Sequence, residues 1–206
     1  MRTGKSIDVL RGLGINNNYT TSNRHENDYY ATPPEAVEWL LKYETFNRNI
    51  WEPMCGGGHI SETLKQHGYE VTSTDLHNYG YEDTVIRDFT KCTKPFDGDI
   101  ISNPPYKDSI PMTLKALELT GRKVAFLMKI QFLETVKRHQ QIFKEHPPAR
   151  IYIFTKRIRC WKNGVDDNSG SAVCYCWIIW EKNNIYEPII RWIPNYETVK
   201  EKVING

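Results

Sequence analysis

The run NIWEPMCGGGHISETLKQH, residues 49–67, is the stretch of this sequence that decides its fold. Residues 49–54 form a short apolar segment that predicts a buried strand, and residues 59–67 place Ile60 and Leu64 on one face of a helix. The glycines between them let a ligand approach the backbone closely, because glycine has no Cβ and tolerates positive φ. Strand, glycine turn and helix in this order predict an α/β fold of the nucleotide-binding kind.

Two further strands are predicted downstream, and each ends at an aspartate. Residues 70–74 lead into Asp75, and residues 84–87 lead into Asp88. A carboxylate at the tip of the second strand is where nucleotide-binding α/β folds hold a ribose diol. Asp88 has an alternative interpretation as a turn or helix cap, which is a common use of aspartate.

The second signature is Asn-Pro-Pro-Tyr at residues 103–106, directly after the apolar run 99–102. The side-chain oxygen of Asn103 and a main-chain carbonyl beside proline can both accept hydrogen bonds from a planar –NH₂ group, and the Tyr106 ring can stack on a base. Two fixed acceptors favour the transition state in which such an amine becomes a nucleophile. The prolines fix φ and remove donors, so the loop stays rigid and cannot continue as a central strand.

These motifs together resemble those of the S-adenosylmethionine-dependent amino-methyltransferases, chiefly the DNA adenine-N6 enzymes. Glu52-Pro53-x-x-Gly56-x-Gly58 resembles their motif I, and the later Asn-Pro-Pro-Tyr resembles motif IV. A nicotinamide dinucleotide fingerprint fits less well, because Ser61 stands where its third glycine or alanine belongs. The resemblance covers roughly residues 28–180.

The resemblance implies S-adenosylmethionine as the cofactor and assigns the site residue by residue. Residues 28–34 resemble motif X, which precedes the predicted helix 35–43 and faces the methionine carboxylate of the cofactor. Asp88 would meet the adenine amino group of the cofactor, and Phe89 would pack on that ring. The implied catalytic residues are Asn103, Pro104, Pro105 and Tyr106. The implied cofactor-binding residues are Tyr30, Thr32, Pro33, Glu52, Pro53, Met54, Gly56, Gly58, Asp75, Leu76, Asp88, Phe89 and Asn103.

The remaining elements predict a single α/β sheet with helices on both faces. Helical spacing marks residues 110–120 and 132–145, and buried strands are predicted at 123–128, 150–154 and 173–180. The resemblance adds a Rossmann-like, seven-stranded, mostly parallel sheet whose last strand is antiparallel. We expect a flexible arm over residues 1–27 and one methyltransferase domain over residues 28–206.

The charge distribution predicts a nucleic-acid surface, although the net charge is only +2. Residues 129–162 contain nine Lys and Arg against two Glu, a net of +7, and mix these cations with an aromatic side chain. A solvated, charged surface is the alternative interpretation. The candidate nucleic-acid contacts are Lys107, Lys156, Arg157, Arg159 and Trp161.

Composition excludes several other classes. Five cysteines without Cys-x-x-Cys spacing indicate reduced thiols and a cytoplasmic protein, in a bacterium or a phage-infected cell. The six histidines show no ligand spacing, so no metal is expected. No apolar run is long enough to span a bilayer, and the N-terminus lacks the apolar core of a signal peptide.

The substrate that these patterns favour is adenine N6 in DNA, with the base flipped out of the duplex. Cytosine-C5 enzymes need a Pro-Cys nucleophile, and this chain has no Pro-Cys pair; cytosine-N4 enzymes more often begin motif IV with serine. Three alternatives stay open: an RNA adenine-N6 methyltransferase, a protein-glutamine methyltransferase, and a non-catalytic cofactor or nucleic-acid binding module. A sizeable target-recognition domain is missing, so we expect relaxed specificity of a phage type, a recognition partner or a homodimer.

Overall fold

The computed structural model describes residues 29–162, 164–165 and 173–196. The arm expected over residues 1–27 lies outside the described residues. The strands are β1 Tyr30–Ala31, β2 Asn49–Glu52, β3 Glu70–Asp75, β4 Val85–Ile86, β5 Asp99–Ser102, β6 Lys123–Lys129, β7 Arg150–Phe154, β8 Trp161–Lys162, β9 Tyr175–Glu181 and β10 Ile189–Ile193. The helices are α1 Pro34–Tyr43, α2 His59–Gln66, α3 Ser109–Leu119 and α4 Val136–Arg138.

Within these residues, eight strands form the central sheet in the order β10-β7-β9-β6-β5-β2-β3-β4. Every neighbouring pair is parallel except those made by β9, which runs antiparallel to β6 and β7. The predicted mostly parallel α/β sheet is therefore confirmed. The prediction of seven strands with an antiparallel last strand differs in detail, because β10 adds a parallel edge strand after β9.

The central strands are continuous apolar runs because both of their faces are covered. One face packs under α1 and α2, around Leu40, Leu64 and Trp177, and the other packs under α3, around Leu119 and Trp180. The indole N–H of Trp177 donates to the Ala36 carbonyl at 2.9 Å, so this buried ring ties the sheet to α1. Helices on both faces are thus confirmed.

The predicted helix over residues 132–145 is broken into short pieces. A 3₁₀ turn at Ile130–Leu133 precedes α4, and a π-helical turn follows at His139–Phe143. Thr135 has φ 90°, a left-handed value that an α-helix cannot contain, and its hydroxyl accepts a hydrogen bond from the Arg138 N–H at 3.3 Å. Helical spacing alone gave no signal of this interruption.

The amino ends of the strands are joined by a buried ionic cluster. Glu44, which is 4% exposed, accepts hydrogen bonds from Lys123 at 2.8 Å, from Arg150 Nη2 at 3.0 Å and from the Tyr152 hydroxyl at 2.7 Å. Burial alone would raise the pKa of Glu44, but these three partners lower it below its ordinary value. Arg150 also pairs with Glu181 at 2.5 Å. No helix in the described part of the chain has the length and apolar character needed to cross a membrane.

Candidate active site

The predicted site residues meet at the carboxyl edge of the sheet. The glycine loop follows β2, Asp75 ends β3, and Asn103 follows β5. Because β3, β2 and β5 are neighbouring parallel strands, their carboxyl ends lie side by side. This is the edge at which open α/β sheets bind their ligands.

The glycine loop is held against Asp75 and covered by two tyrosines. The Gly56 N–H donates to Asp75 Oδ2 at 2.8 Å, and Gly56 and Gly58 have φ 52° and 80°. A Cβ at Gly56 would lie 2.8 Å from the Tyr29 ring, and one at Gly58 would overlap the Tyr81 ring. Both glycines are therefore required by backbone conformation and by close packing.

Asp75 keeps its carboxylate at this edge although it is buried. Its second oxygen accepts from the His77 N–H at 3.0 Å, and the residue is 8% exposed. Burial raises the pKa of Asp75 above its ordinary value. Leu76, the next residue, is 55% exposed and presents apolar surface beside the carboxylate.

Glu52 lies inside the protein beneath the glycine loop. It is 1% exposed and accepts a hydrogen bond from the Ser61 hydroxyl, whose oxygen lies 2.6 Å from the Ser73 hydroxyl. Burial raises the pKa of Glu52 well above its ordinary value. Ser61, the residue that departs from a dinucleotide fingerprint, is thus the partner of this acid, and together they tie β2 and β3 to α2.

Pro53 and Met54 act through their backbones. The Pro53 carbonyl accepts from the Thr74 hydroxyl at 3.5 Å, and the Met54 carbonyl accepts from the Ser102 hydroxyl at 3.4 Å. These contacts connect the start of the glycine loop to the ends of the two adjacent strands.

Asp88 and Phe89 make local contacts. Asp88 Oδ1 accepts from the Thr90 N–H at 3.0 Å and caps the 3₁₀ turn Phe89–Lys91, which is the alternative that the sequence left open. Phe89 is 3% exposed and meets the Trp51 ring edge-on, with 5.1 Å between centroids. Their contact with a cofactor adenine stays a prediction.

Asn103 is oriented by the segment before α1. Its Nδ2 donates to the Tyr30 carbonyl and to the Thr32 hydroxyl, both at 3.1 Å. A carbonyl can only accept, so this contact identifies which end of the amide is nitrogen and leaves Oδ1 on the opposite side. Pro33 and Pro104 are buried beside it, whereas Pro105 is exposed.

Tyr106 is fixed by residues that sequence reasoning missed. Its hydroxyl lies 2.6 Å from the Tyr175 hydroxyl, and the Lys129 ammonium lies 3.8 Å from its ring centroid. Cys160 Sγ lies 3.9 Å from Asn103 Nδ2. Burial raises the pKa of Tyr106. Lys129 carried a usable signal, because it is a cation that ends a buried strand next to β5; Tyr175 and Cys160 carried none.

The basic segment folds against the loop before α1. β8 pairs antiparallel with β1, which places Trp161 opposite Ala31. A cleft of about 350 Å³ lies between the two segments and is lined by Pro33, Pro34, Glu35, Arg157, Arg159 and Trp161. Three of the five predicted nucleic-acid contacts thus line one cleft.

The other predicted contacts and cations are spread more widely. Lys107 lies on the exposed 3₁₀ turn Tyr106–Asp108, and Lys156 is exposed at the end of β7, where its backbone bonds to Asn195. Arg150 belongs to the ionic cluster at the opposite edge, so the +7 run is not one surface. Among the described residues, no group of three or more His, Cys, Asp or Glu could hold a metal ion.

Solved structures of methyltransferases share this fold. A putative RNA methyltransferase, PH1948 from Pyrococcus horikoshii, matches 74% of this chain and 87% of its own length at 18% identity, with a TM-score of 0.51. Magnesium protoporphyrin IX methyltransferase (ChlM) from Synechocystis PCC 6803 with bound SAM matches 72% of this chain and 77% of its own length at 14% identity, with a TM-score of 0.50. A modification subunit of a putative type I restriction enzyme from Vibrio vulnificus YJ016 matches 95% of this chain and 51% of its own length at 10% identity, with a TM-score of 0.60.

No family model and no curated protein matches this sequence. At the identities of the solved structures, the likeness shows the fold, which is the Rossmann-like α/β sheet of methyltransferases.

Proposed function

We propose that this protein transfers the methyl group of S-adenosylmethionine to the exocyclic N6 amine of adenine in DNA. The observation that carries this proposal is the position of Asn103. It follows β5 at the same sheet edge as Asp75 and the glycine loop, and its amide is held by Tyr30 and Thr32. A methyl donor over the glycine loop and an amine at Asn103 would therefore be neighbours.

The residues present fit this cofactor. Asp75 offers carboxylate oxygens for a ribose diol, and the exposed Leu76 offers apolar surface for an adenine ring beside it. The Gly56 N–H holds the glycine loop against this carboxylate. When bound, S-adenosylmethionine supplies an electrophilic methyl group on a sulfonium.

The protein's own residues would hold and activate the amine. Asn103 Oδ1 and the Pro104 carbonyl accept its two hydrogens, and this favours the geometry in which the nitrogen lone pair becomes available. Tyr106 offers a ring face to the base, while Tyr175 and Lys129 hold that ring in place. Orientation supplies the acceleration, and no covalent bond to the enzyme is needed.

Nucleic acid as the substrate is supported by the cleft beside Asn103. Arg157 and Arg159 can bind phosphates, and Trp161 can stack on a base. Cys160, which lies between Arg159 and Trp161 in the chain, has its Sγ 3.9 Å from Asn103 Nδ2, so a strand bound in this cleft would lie near the catalytic asparagine. Double-stranded DNA would have to present its adenine flipped out.

Target recognition would come from a partner or a second copy of the chain. This chain spans about half the length of the modification subunit it resembles, at 51%. A separate subunit or domain would then supply the contacts that select the target sequence.

The test is incubation with radiolabelled S-adenosylmethionine and, separately, DNA, tRNA, rRNA and protein extract, followed by nucleoside analysis. We expect N6-methyladenine in DNA. Asn103→Ala should lower its formation about 10²- to 10³-fold while S-adenosylhomocysteine still binds, and Asn184→Ala, a half-buried asparagine between β9 and β10, should leave it intact. Label found in RNA alone, or in protein alone, would reject the DNA assignment in favour of that alternative.

A further inference from the structure

His59 carries a buried nitrogen that the protein itself leaves without a hydrogen bond. Within the described part of the chain, two buried side-chain nitrogens lack a partner, His59 Nδ1 and Arg138 Nε. The Arg138 guanidinium still bonds through Nη1 to the carbonyls of Gln131 at 2.9 Å and Glu134 at 3.2 Å. A buried polar atom without a partner is costly, so His59 Nδ1 points to a partner that binds from outside.

This nitrogen lies at the glycine loop. His59 follows Gly58 directly, and a Cβ at Gly57 would lie 3.3 Å from His59 Nδ1 and 2.7 Å from the Tyr29 hydroxyl. The imidazole and this hydroxyl therefore converge over Gly57. On its other side, the imidazole meets the Trp161 ring edge-on, with 5.7 Å between centroids.

The two sides of the glycine loop offer different chemistry. Gly56 binds the Asp75 carboxylate, which serves the ribose side of the proposed cofactor. His59 lies over Gly57, nearer to β8 and the loop before α1, which is the side left for the amino-acid end. Burial lowers the pKa of His59, so the neutral ring has one nitrogen that can accept a hydrogen bond.

An α-ammonium group needs hydrogen-bond acceptors. Backbone N–H groups around the glycine loop are donors and suit a carboxylate. A neutral imidazole nitrogen supplies the complementary acceptor for the ammonium. We infer that His59 is a further cofactor-binding residue, whose Nδ1 accepts a hydrogen bond from the α-ammonium group of S-adenosylmethionine. This inference rests on the proposed function, because it assumes that cofactor.

Calorimetric binding of two ligands tests the inference without any methylation assay. One ligand is S-adenosylhomocysteine, and the other is its deamino analogue, which keeps the carboxylate and lacks the α-amino group. His59→Leu removes the acceptor at similar volume. We expect it to weaken S-adenosylhomocysteine about tenfold, the loss of one hydrogen bond to a charged group, and to leave the affinity of the deamino analogue unchanged.

Two conservative variants locate the acceptor on the ring. The amide of His59→Asn reaches about the position of Nδ1, so this variant should retain most of the affinity for S-adenosylhomocysteine. The amide of His59→Gln reaches about the position of Nε2, so it should bind as weakly as His59→Leu. His67→Leu, at the exposed far end of α2, is the matched control and should bind both ligands normally.

The outcomes separate the inference from the proposed function. If His59→Leu weakens both ligands equally, or neither, His59 does not bind the ammonium and the inference is overturned alone. It is also overturned if His59→Leu weakens the deamino analogue more than S-adenosylhomocysteine, since that pattern marks a contact with a group other than the ammonium. If the unaltered protein binds no S-adenosylhomocysteine, the proposed function fails and the inference fails with it.

Discussion

The two edges of the sheet treat their charged and polar groups in opposite ways. At the amino edge, Glu44 has three side-chain partners, and Asp99 accepts from the backbone N–H groups of Asn47 at 2.5 Å and Lys123 at 3.0 Å. At the carboxyl edge, Glu52 and Asp75 are buried with no ion-pair partner among the described residues, where His59 Nδ1 likewise has no hydrogen-bond partner. The described residues thus pair the acid at one edge with cations and give the acids at the other edge only neutral hydrogen-bond donors.

The largest effect that we expect is a loss of stability when the ionic cluster at the amino edge is disrupted. Glu44→Gln removes the charge shared by Lys123 and Arg150, and this should lower the free energy of unfolding by about 3 kcal/mol, as for other buried ion pairs that lose one partner. Urea unfolding measures it. Glu70→Gln is the control, because Glu70 pairs with Arg48 on the open surface, where a loss below about 0.5 kcal/mol is expected. Equal losses in both variants would contradict the special role of this edge.

The second-largest effect that we expect is a loss of activity at the carboxyl edge without a comparable loss of stability. Asn103→Ala removes one of two fixed acceptors, and kcat should fall about 10²- to 10³-fold, as when one preorganised hydrogen-bonding group is removed from an active site. The urea midpoint should move far less than in Glu44→Gln. A variant that unfolds as readily as Glu44→Gln would mean that Asn103 is a structural residue.

The third effect is on ligand binding. Asp75→Asn keeps the shape of the side chain but weakens it as an acceptor for two ribose hydroxyls, so S-adenosylhomocysteine should bind about tenfold more weakly, the loss of one hydrogen bond to a charged group. Calorimetry measures the affinity. Asp83→Asn, at an exposed acid that pairs with Lys65, is the control and should bind normally. Unchanged affinity in Asp75→Asn would mean that Asp75 does not bind the cofactor.

The common position of Glu52, Asp75 and Asn103 could be predicted from the sequence, because each lies at the end of a predicted strand. In the structure each lies at or directly after the end of a strand, and parallel pairing brings such ends together whatever the details of packing. The pairing of β1 with β8 had no comparable signal, since each strand has two residues and they lie about 130 positions apart. This short ribbon is nevertheless what brings Trp161 and Cys160 to Asn103.

The basic run at residues 129–162 was harder to interpret, because β7 lies within it and separates its two ends. Arg150 begins β7 and Lys156 follows it, so β7 carries the chain from the ionic cluster to the opposite edge. β10 was missed for a different reason. Its residues are exposed except Ile193, so no buried apolar run predicts it. It is an outer strand of the sheet, paired only with β7.

The smallest effect that we expect is a gain in stability. Its pH dependence should differ between Glu44 at the amino edge and Glu52 at the carboxyl edge. The pKa of Glu44 is lowered, so its stabilisation is present above the pKa of the unfolded chain and is lost as pH falls through the folded pKa. The pKa of Glu52 is raised, so its contribution is fully present below the unfolded pKa and is lost as pH rises through the folded pKa. At neutral pH, therefore, Glu44 supports the fold and Glu52 opposes it.

Replacing both acids by glutamine should reveal this contrast. Glu52→Gln keeps an oxygen that accepts from Ser61 and removes the titratable group whose pKa burial raises, so it should stabilise the protein at pH 7 by about 1 kcal/mol, as substitutions that relieve functional strain do. That gain should vanish near pH 4, where the native carboxyl is already protonated, while the loss in Glu44→Gln should shrink as pH falls. Urea midpoints of both variants between pH 4 and pH 8 test this. Parallel pH profiles would mean that Glu44 and Glu52 do not differ in the direction of their pKa shifts.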